Sequence, residues 1–422
     1  MVGKVPSLHF GKNIYINGSR MITINECTEL PSMVHSSGMW SYIHSGTMPF
    51  TLPLLQMQMV LIFTLTQSTH YVLKRYGVPK FTTQLLVGII LGPSLLGRFR
   101  IFNYVMSSIK SQEIIGMLSA FSYVLFIFVS GVKMDLGMIK RTGKKALFTG
   151  VACILSPLLI GSLVQEKLRR LWLTKEEASI VQIITIGHAI TPFPVLACLV
   201  EDLKIMNTEL GRLALSTALV SDALSMLVIV GGILTKINQE QGIMLAAIDL
   251  GALVTNVIVI VFAIRPSMFW VIRHTQEGRP VKDTYIHTIM LMVLGFGLLS
   301  HLYGQSLVIG PYILGLAVPE GPPLGSAIIN KFNCLISDVF LPLLVTTCGM
   351  RIDLSLIKFD NSLMTYNIIL IVLTLVAKIV ACLVPPLYSK MPLNDALALA
   401  LLLTCKGVIQ LLTLHFSMIP RP

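Results

Sequence analysis

Long apolar runs without charge, separated by short charged clusters, occupy the chain from Pro49 onward. Runs of about 20 such residues match the hydrocarbon thickness of a bilayer, so the pattern predicts membrane-spanning helices. Gly and Pro interrupt several runs, as at Gly92-Pro93 and Gly310-Pro311, and membrane helices tolerate them when neighbours satisfy the freed backbone groups. Twelve helices are predicted, near residues 50–72, 81–97, 114–132, 146–165, 178–200, 210–235, 243–264, 284–302, 306–319, 324–349, 363–388 and 394–419.

The composition excludes the soluble classes of protein. Of the 422 residues, 54% are hydrophobic and only 12% are charged, whereas soluble domains are about 25% charged. Disordered, collagen-like, coiled-coil and small disulfide-rich chains are excluded on the same grounds. The predicted fold class is therefore an all-α polytopic membrane protein, an integral multi-pass protein in the lipid bilayer of the plasma membrane or an endomembrane.

Charge and cysteine content narrow the expected partners. The net charge of +12 is explained by loops that face anionic lipid, and no basic run is interleaved with aromatic residues, so we expect no nucleic-acid partner. The seven cysteines show no metal-binding spacing, so we expect no cofactor and no resident metal. Lysine and arginine in the predicted loops favour an outside N-terminus.

A repeated segment organises the chain. Residues 131–140 recur as residues 349–358, with Gly, Asp, Leu, Ile and Lys at matching positions, and each copy closes an apolar helix. Seven predicted crossings separate the copies, and an odd number inverts the orientation, which is the hallmark of inverted-repeat secondary transporters. We predict a tail over 1–48 and a transmembrane domain over 49–422, with repeat 1 at about 81–235 and repeat 2 at about 306–422. Inverted symmetry calls for a thirteenth helix that this chain lacks, so the second repeat is predicted to be truncated.

The fifth predicted helix contains two prolines within three residues, in Thr191-Pro192-Phe193-Pro194. Proline removes a donor and disfavours helical geometry in the preceding residue, so the helix is predicted to break and to free the carbonyls of His188 and Ile190. Free carbonyls and opposed helix ends near the midplane coordinate cations. The alternative interpretation is a proline kink that serves packing alone.

The sixth predicted helix places Ser221-Asp222 ten residues after Arg212 and fourteen before Lys236, near mid-membrane. A charge at that depth costs at least ~2.5 kcal/mol, so the carboxylate is a functional candidate by default. Such a group can exchange a proton for a metal ion. The alternative is an aspartate tied to a polar neighbour for structural reasons.

Two lysines also lie far from the loop charges, Lys378 in the eleventh and Lys406 in the twelfth predicted helix. Each is predicted to compensate charge, either at the carbonyl-bearing ends of a broken helix or by pairing with Asp222. Snorkelling to the interface is the alternative. Three further charged residues, Asp249, Asp338 and Lys331, are interpreted as lying near the headgroups, and His188 is interpreted as a core histidine.

Six short motifs are distinctive together, namely residues 88–97 (GIILGPSLLG), 191–197 (TPFPVLA), 221–222 (SD), 340–343 (FLPL), 377–378 (AK) and 404–407 (TCKG). On these motifs, from about residue 50 to the end, the chain resembles the plant cation/proton exchangers of the monovalent cation:proton antiporter-2 group. The resemblance implies a scaffold and a mobile core in which helices 5 and 12 cross at unwound centres, and it implies a homodimer. It also implies that Asp222 carries the ion and the proton, that Ser221 stands in place of an Asn or second Asp, that Thr191 and Pro192 shape the crossing, and that Lys378 is the basic partner.

Three functions are compatible with these residues. The first is monovalent cation (K⁺ or Na⁺)/proton antiport by alternating access, carried out by a transporter with no catalytic residues and not by an enzyme. Because members of the resembled family usually continue beyond a thirteenth helix into a cytosolic domain, the second is a truncated, non-transporting relative that modulates full-length partners by heterodimerisation. The third is a sodium-coupled organic anion symporter on a related fold.

Overall fold

The computed structural model of the protein describes residues 12–14, 22–24, 51–99, 109–134, 143–171, 185–275, 281–319, 321–352 and 362–405, together with Phe102 and Gly137. Helices occur within these ranges at all twelve predicted places. The helices are α1 (Thr51–Leu73), α2 (Lys80–Leu91), α3 (Ile109–Lys133), α4 (Lys144–Leu171), α5 (185–189 and Phe193–Asp202), α6 (Glu209–Gln241), α7 (Ile243–His274), α8 (Asp283–Leu302), α9 (Ile309–Ala317), α10 (Leu324–Met350), α11 (Ser362–Tyr388) and α12 (Leu393–Thr404).

Within the described ranges, eight helices are long and apolar enough to cross a bilayer, namely those that contain α2, α3, α4, α6, α7, α8, α10 and α11. The described part of α12 is a shorter apolar helix. The predicted extent of α5 before residue 185, and of α12 after residue 405, lies outside the described residues. The predicted class, an all-helical polytopic membrane protein, is confirmed.

The N-terminal tail predicted over 1–48 contains two short paired strands. Strand β1 (Lys12–Ile14) pairs antiparallel with β2 (Ile22–Ile24), so that Lys12 faces Ile24.

Two long helices also contain a turn of π-helix, at Ile260–Ile264 in α7 and Leu335–Phe340 in α10.

The helices pack as two bundles. In the first, called the scaffold here, α2 packs on α10 and α3 packs on α9 and α10, while α1 and α8 pack alongside. In the second, called the core, α4 packs on α11 and α6, and α5 and α12 pack against α6. The long helix α7 contacts α6 of the core and α9 of the scaffold and so runs beside both bundles.

Glycines bring helices of opposite repeats into backbone contact in the scaffold. A Cβ atom on Gly88 of α2 would lie 2.3 Å from the carbonyl oxygen of Thr346 and 2.8 Å from the Cα of Gly349 in α10. On Gly315 of α9, a Cβ would lie 3.1 Å from the Cα of Gly131 in α3. Because Gly349 and Gly131 are the first residues of the two repeated segments, both copies make the same kind of contact.

Two of the three charged residues predicted to lie near the headgroups, Asp338 and Lys331, are exposed in ion pairs between helices of the scaffold. Lys80 Nζ lies 3.1 Å from the Oδ1 atom of Asp338, and Lys331 pairs with Asp283. Asp249, the third, is half-buried on α7. Exposed pairs of this kind contribute little to stability.

Candidate ion-binding site

The fifth helix is broken where the proline pair predicts it. Helical geometry stops after residue 189 and resumes at Phe193, with Pro192 in an extended conformation at the junction. In an unbroken helix, the carbonyls of His188 and Ile190 would accept from the backbone nitrogens of residues 192 and 194. Both of those residues are proline and carry no N–H, so the carbonyls at the end of the first half need other donors.

Lys378 of α11 supplies those donors. Its Nζ donates to the carbonyls of Ala189 (2.9 Å) and Ile190 (3.1 Å) and to the hydroxyl of Thr191 (2.6 Å), and the carbonyl of His188 lies 3.5 Å away. The side chain is 1% exposed. A lysine ammonium has three protons, and three short hydrogen bonds use all of them. Of the two predicted roles of Lys378, the structure therefore shows binding to the helix end and not a pair with Asp222.

Thr191 joins the break to two further helices of the core. Its hydroxyl accepts the bond from Lys378 and donates to the carbonyl of Leu403 in α12, at 3.2 Å. Cys153 Sγ of α4 lies 3.5 Å from the same oxygen. Leu403 precedes the last described helical residue of α12, so the break of α5 lies against the end of α12. Lys406 lies outside the described residues, and its charge-compensating role stays a prediction.

Asp222 of α6 lies against the other side of the break. Its carboxylate is 5% exposed and accepts a hydrogen bond of 2.9 Å from the hydroxyl of Tyr312 in α9. The backbone N–H of Phe193, the first residue of the second half of α5, is its other hydrogen-bonding partner. A carboxylate is favoured at a helix N-terminus because the exposed N–H groups and the helix dipole attract negative charge.

Ser221 precedes the carboxylate and is fully buried. In the part of the chain that the structure describes, its hydroxyl oxygen has no hydrogen-bond partner. A buried hydroxyl without a partner costs free energy, which makes Ser221 a candidate ligand for a bound cation.

Tyr312 is the residue that the sequence analysis missed. It is 5% exposed in the apolar helix α9, and its hydroxyl also lies 3.5 Å from the Sδ atom of Met134. A tyrosine within an apolar membrane run signals that its hydroxyl needs a partner. The sequence alone does not identify Asp222 as that partner, because Asp222 lies ninety residues away along the chain.

The two halves of α5 thus face opposite charges. The carbonyl end of the first half, which is the negative end of its dipole, binds the ammonium of Lys378. The N–H end of the second half faces the carboxylate of Asp222. Since Lys378 is committed to the backbone, the carboxylate is left able to hold a proton or a small cation.

Inverted repeats, a broken helix at the middle of the core and a buried carboxylate at the break define the architecture of a secondary transporter. The sequence profile of the family described as "Sodium/hydrogen exchanger, transmembrane" matches residues 60–417. The chain belongs to this family, as its resemblance to the plant cation/proton exchangers predicts.

Individual relatives agree with this assignment. The chain is 34% identical over 412 residues to Cation/H(+) antiporter 3 of Arabidopsis thaliana, an alignment that covers 91% of this chain and 50% of that protein. It is 31% identical over 415 residues to Cation/H(+) antiporter 8 of the same organism, with 93% and 49% covered. The chain therefore spans about half the length of the curated relatives it matches.

Two solved structures with the same fold are of the sodium proton antiporter MjNhaP1 from Methanocaldococcus jannaschii. A structure at pH 8 is 17% identical, with 87% of each chain covered and a TM-score of 0.59. A structure from an electron microscopy map is 18% identical, with 87% of this chain and 86% of that chain covered and a TM-score of 0.63. At this level of identity the similarity establishes the shared fold.

Proposed function

We propose that the protein exchanges a monovalent cation, K⁺ or Na⁺, for H⁺ across its membrane by alternating access. Asp222 binds either the proton or the cation, and not both at once. The observation that carries the proposal is the placement of this buried carboxylate at the break of α5. Membership of the sodium/hydrogen exchanger family and the names of the plant relatives support the same activity.

The charges around the break explain why Asp222 needs a mobile partner. Lys378 uses its three protons on the α5 backbone and the Thr191 hydroxyl. Asp222 has hydrogen-bond donors but, among the described residues, no ion-pair partner. An uncompensated charge at membrane depth costs at least ~2.5 kcal/mol. A proton or a monovalent cation removes that cost, and the arrival of one displaces the other.

The neighbouring residues have distinct roles in this proposal. Thr191 and Pro192 shape the crossing, Ser221 offers its hydroxyl to the cation, and Lys378 keeps the carbonyl end of the break neutral. Lys406 would act with Lys378 at the end of α12. In this proposal the cation is cargo and not a resident metal.

Flux through reconstituted protein tests the proposal. The protein is placed in liposomes that contain a pH-sensitive dye and carry an acidic interior, and K⁺ or Na⁺ is added outside in separate runs. We expect one or both cations to dissipate the gradient, and Asp222→Asn to lower that rate at least about a hundredfold, since the amide holds neither cargo.

Asp249→Asn is the matched control. Asp249 is a half-buried aspartate of α7, and its backbone carbonyl accepts a hydrogen bond from the side-chain amide of Gln305. We expect this variant to exchange at the wild-type rate. A gradient that K⁺ and Na⁺ leave intact, or an Asp222→Asn variant as fast as wild type, would show that the mechanism is wrong.

We also propose that the scaffold bundle carries a homodimer interface, as the family resemblance implies. Native mass spectrometry of the detergent-solubilised protein measures the assembly directly, and a mass of twice the chain supports the dimer. A monomer mass would contradict it. Stable co-purification with a longer family member, without flux from the chain alone, would instead support the role of a modulating partner.

A further inference from the structure

The hydroxyl of Tyr312 lies between two hydrogen-bond acceptors that belong to different bundles. Asp222 Oδ2, at 2.9 Å, is on α6 of the core, and Met134 Sδ, at 3.5 Å, follows α3 of the scaffold. Tyr312 itself is on α9 of the scaffold. All three side chains are buried, at 5%, 2% and 5% exposure for Asp222, Met134 and Tyr312, so water does not compete for the phenol proton.

A phenol has one proton, so it serves one acceptor at a time. A free carboxylate is by far the stronger acceptor, because hydrogen bonds to ionised groups are roughly twice as strong as neutral ones and a thioether sulfur accepts only weakly. When Asp222 is free, the proton of Tyr312 therefore bonds the scaffold to the core. When a proton or cation occupies the carboxylate, that charge assistance is lost, and the sulfur of Met134 is the alternative acceptor within the scaffold.

We propose that Tyr312 is a positioning residue that locks the unloaded core to the scaffold and releases it when Asp222 is occupied. This inference rests on the proposed antiport function. Antiport needs an empty core that does not cross the membrane. A core that delivers a proton and then returns empty moves protons without exchanging them for cations, which is a proton leak. Competition between proton and cation at one carboxylate does not prevent that leak. The Tyr312–Asp222 hydrogen bond prevents it, because this bond is strongest when the site is empty.

Proton leak in the absence of transportable cation tests the lock. Liposomes with an acidic interior that contains thiocyanate are suspended in choline medium, and this permeant anion leaves with the protons and so carries the compensating charge. We expect Tyr312→Phe, which removes only the hydroxyl, to raise proton flux about tenfold to a hundredfold over wild type, the factor that a hydrogen bond to a charged group corresponds to. The same vesicles are then given K⁺ or Na⁺, and we expect the ratio of the leak in choline to the cation-driven flux to rise in this variant.

Two controls separate the lock from a general loosening of the structure. The double variant Tyr312→Phe/Asp222→Asn is expected to lose the leak, because the leaking proton travels on Asp222. Tyr123→Phe removes the hydroxyl of another buried tyrosine of the scaffold and is expected to leak no more than wild type. A leak that persists in the double variant, or one of equal size in Tyr123→Phe, would overturn the proposal.

Met134→Leu tests the second acceptor independently. It removes the sulfur that can accept the Tyr312 hydrogen bond when the site is loaded, so the release of the core from the scaffold is impaired. We expect slower exchange, by about threefold or more, and no added leak. Exchange at the wild-type rate in this variant overturns the switch, and this result decides the matter even if Tyr312→Phe does not fold.

The outcome for wild type distinguishes the two levels of the proposal. Wild-type protein that exchanges cations for protons, with a Tyr312→Phe variant that does not leak, refutes the lock and leaves antiport standing. Wild-type protein that does not exchange refutes antiport itself.

Discussion

The ammonium group of Lys378 and the hydroxyl of Thr191 are joined by a hydrogen bond of 2.6 Å at the break of α5. The same hydroxyl donates to the carbonyl of Leu403 in α12, so one threonine connects the lysine of α11 to the crossing of two other helices. The lysine replaces the N–H donors that Pro192 and Pro194 do not have. The centre of the core is thus a set of mutually dependent polar contacts within an apolar membrane domain.

Replacing Lys378 by methionine is expected to destabilise the protein. The substitution leaves the carbonyls of Ala189 and Ile190 and the hydroxyl of Thr191 without the ammonium donor, at about 1–3 kcal/mol each, and regains about 3 kcal/mol because no charge has to be buried. From the middle of that range we expect a net loss of about 3 kcal/mol, measured as a lower thermal unfolding temperature in detergent. Lys145→Met removes an exposed lysine of α4 and is the matched control; equal stability of both variants would contradict the role of Lys378.

At Thr191, we expect valine and serine to behave differently. Thr191→Val keeps the shape but removes both hydrogen bonds, and should cost about 1.5–3 kcal/mol because one of them involves a charged group. Thr191→Ser keeps the hydroxyl and should restore most of that stability and of the exchange rate. Thr149→Val is the control, since among the described residues the hydroxyl of Thr149 donates to the carbonyl of Lys145 in its own helix and to no other helix. Serine as damaging as valine would show that the methyl group matters instead.

The glycine contacts of the scaffold predict a graded response to alanine. Gly88→Ala and Gly315→Ala each place a Cβ within 2.5 Å of a backbone carbonyl oxygen of the facing helix. Overpacking of this kind costs about 1–3 kcal/mol. Gly231→Ala in α6 meets no described atom within 4 Å and should be neutral or stabilising by about 1 kcal/mol. Thermal unfolding of the three variants compares them, and a fully tolerated Gly88→Ala would refute the close contact.

The variant Ser221→Ala tests whether the Ser221 hydroxyl is a ligand of the cation or whether Ser221 serves packing alone. Because no described partner is lost, Ser221→Ala should leave thermal stability unchanged or slightly raised. If the hydroxyl coordinates the cation, the half-saturating cation concentration rises about tenfold, the equivalent of one hydrogen bond. Thr217→Val removes another buried hydroxyl, one turn further from Asp222, and should leave that concentration unchanged. An unaltered value in Ser221→Ala would exclude Ser221 as a ligand.

Much of this architecture is local in origin and therefore predictable from the sequence. The apolar runs predict the helices, because each crossing must be apolar over most of its length. The break of α5 follows from Pro192 and Pro194, because proline lacks the donor that a continuous helix needs. The expectation that a basic side chain lies near the freed carbonyls follows too; Lys378 Nζ donates to two carbonyls there, and its charge-compensating role stays a prediction.

Other features depend on tertiary packing and carry no local signal. The bond between Tyr312 and Asp222 joins two helices of different bundles, and nothing near Tyr312 in the sequence distinguishes it from the other tyrosines as the partner of a carboxylate. The π-turns of α7 and α10 likewise follow from how those long helices fit their neighbours. The sequence predicts two positions for the ammonium of Lys378, at the carbonyls of the broken helix or beside Asp222. Only the packed structure distinguishes them, and it places Lys378 at the carbonyls.

The glycine contact between α2 and α10 has a consequence for how the chain is made. Gly349 follows Gly88 by 261 residues, a stretch that takes roughly 13–50 s to synthesise at about 5–20 residues per second. During that time α2 is in the membrane without the helix against which its glycine face packs. The scaffold therefore assembles late in translation, and neither repeat is a folding unit on its own.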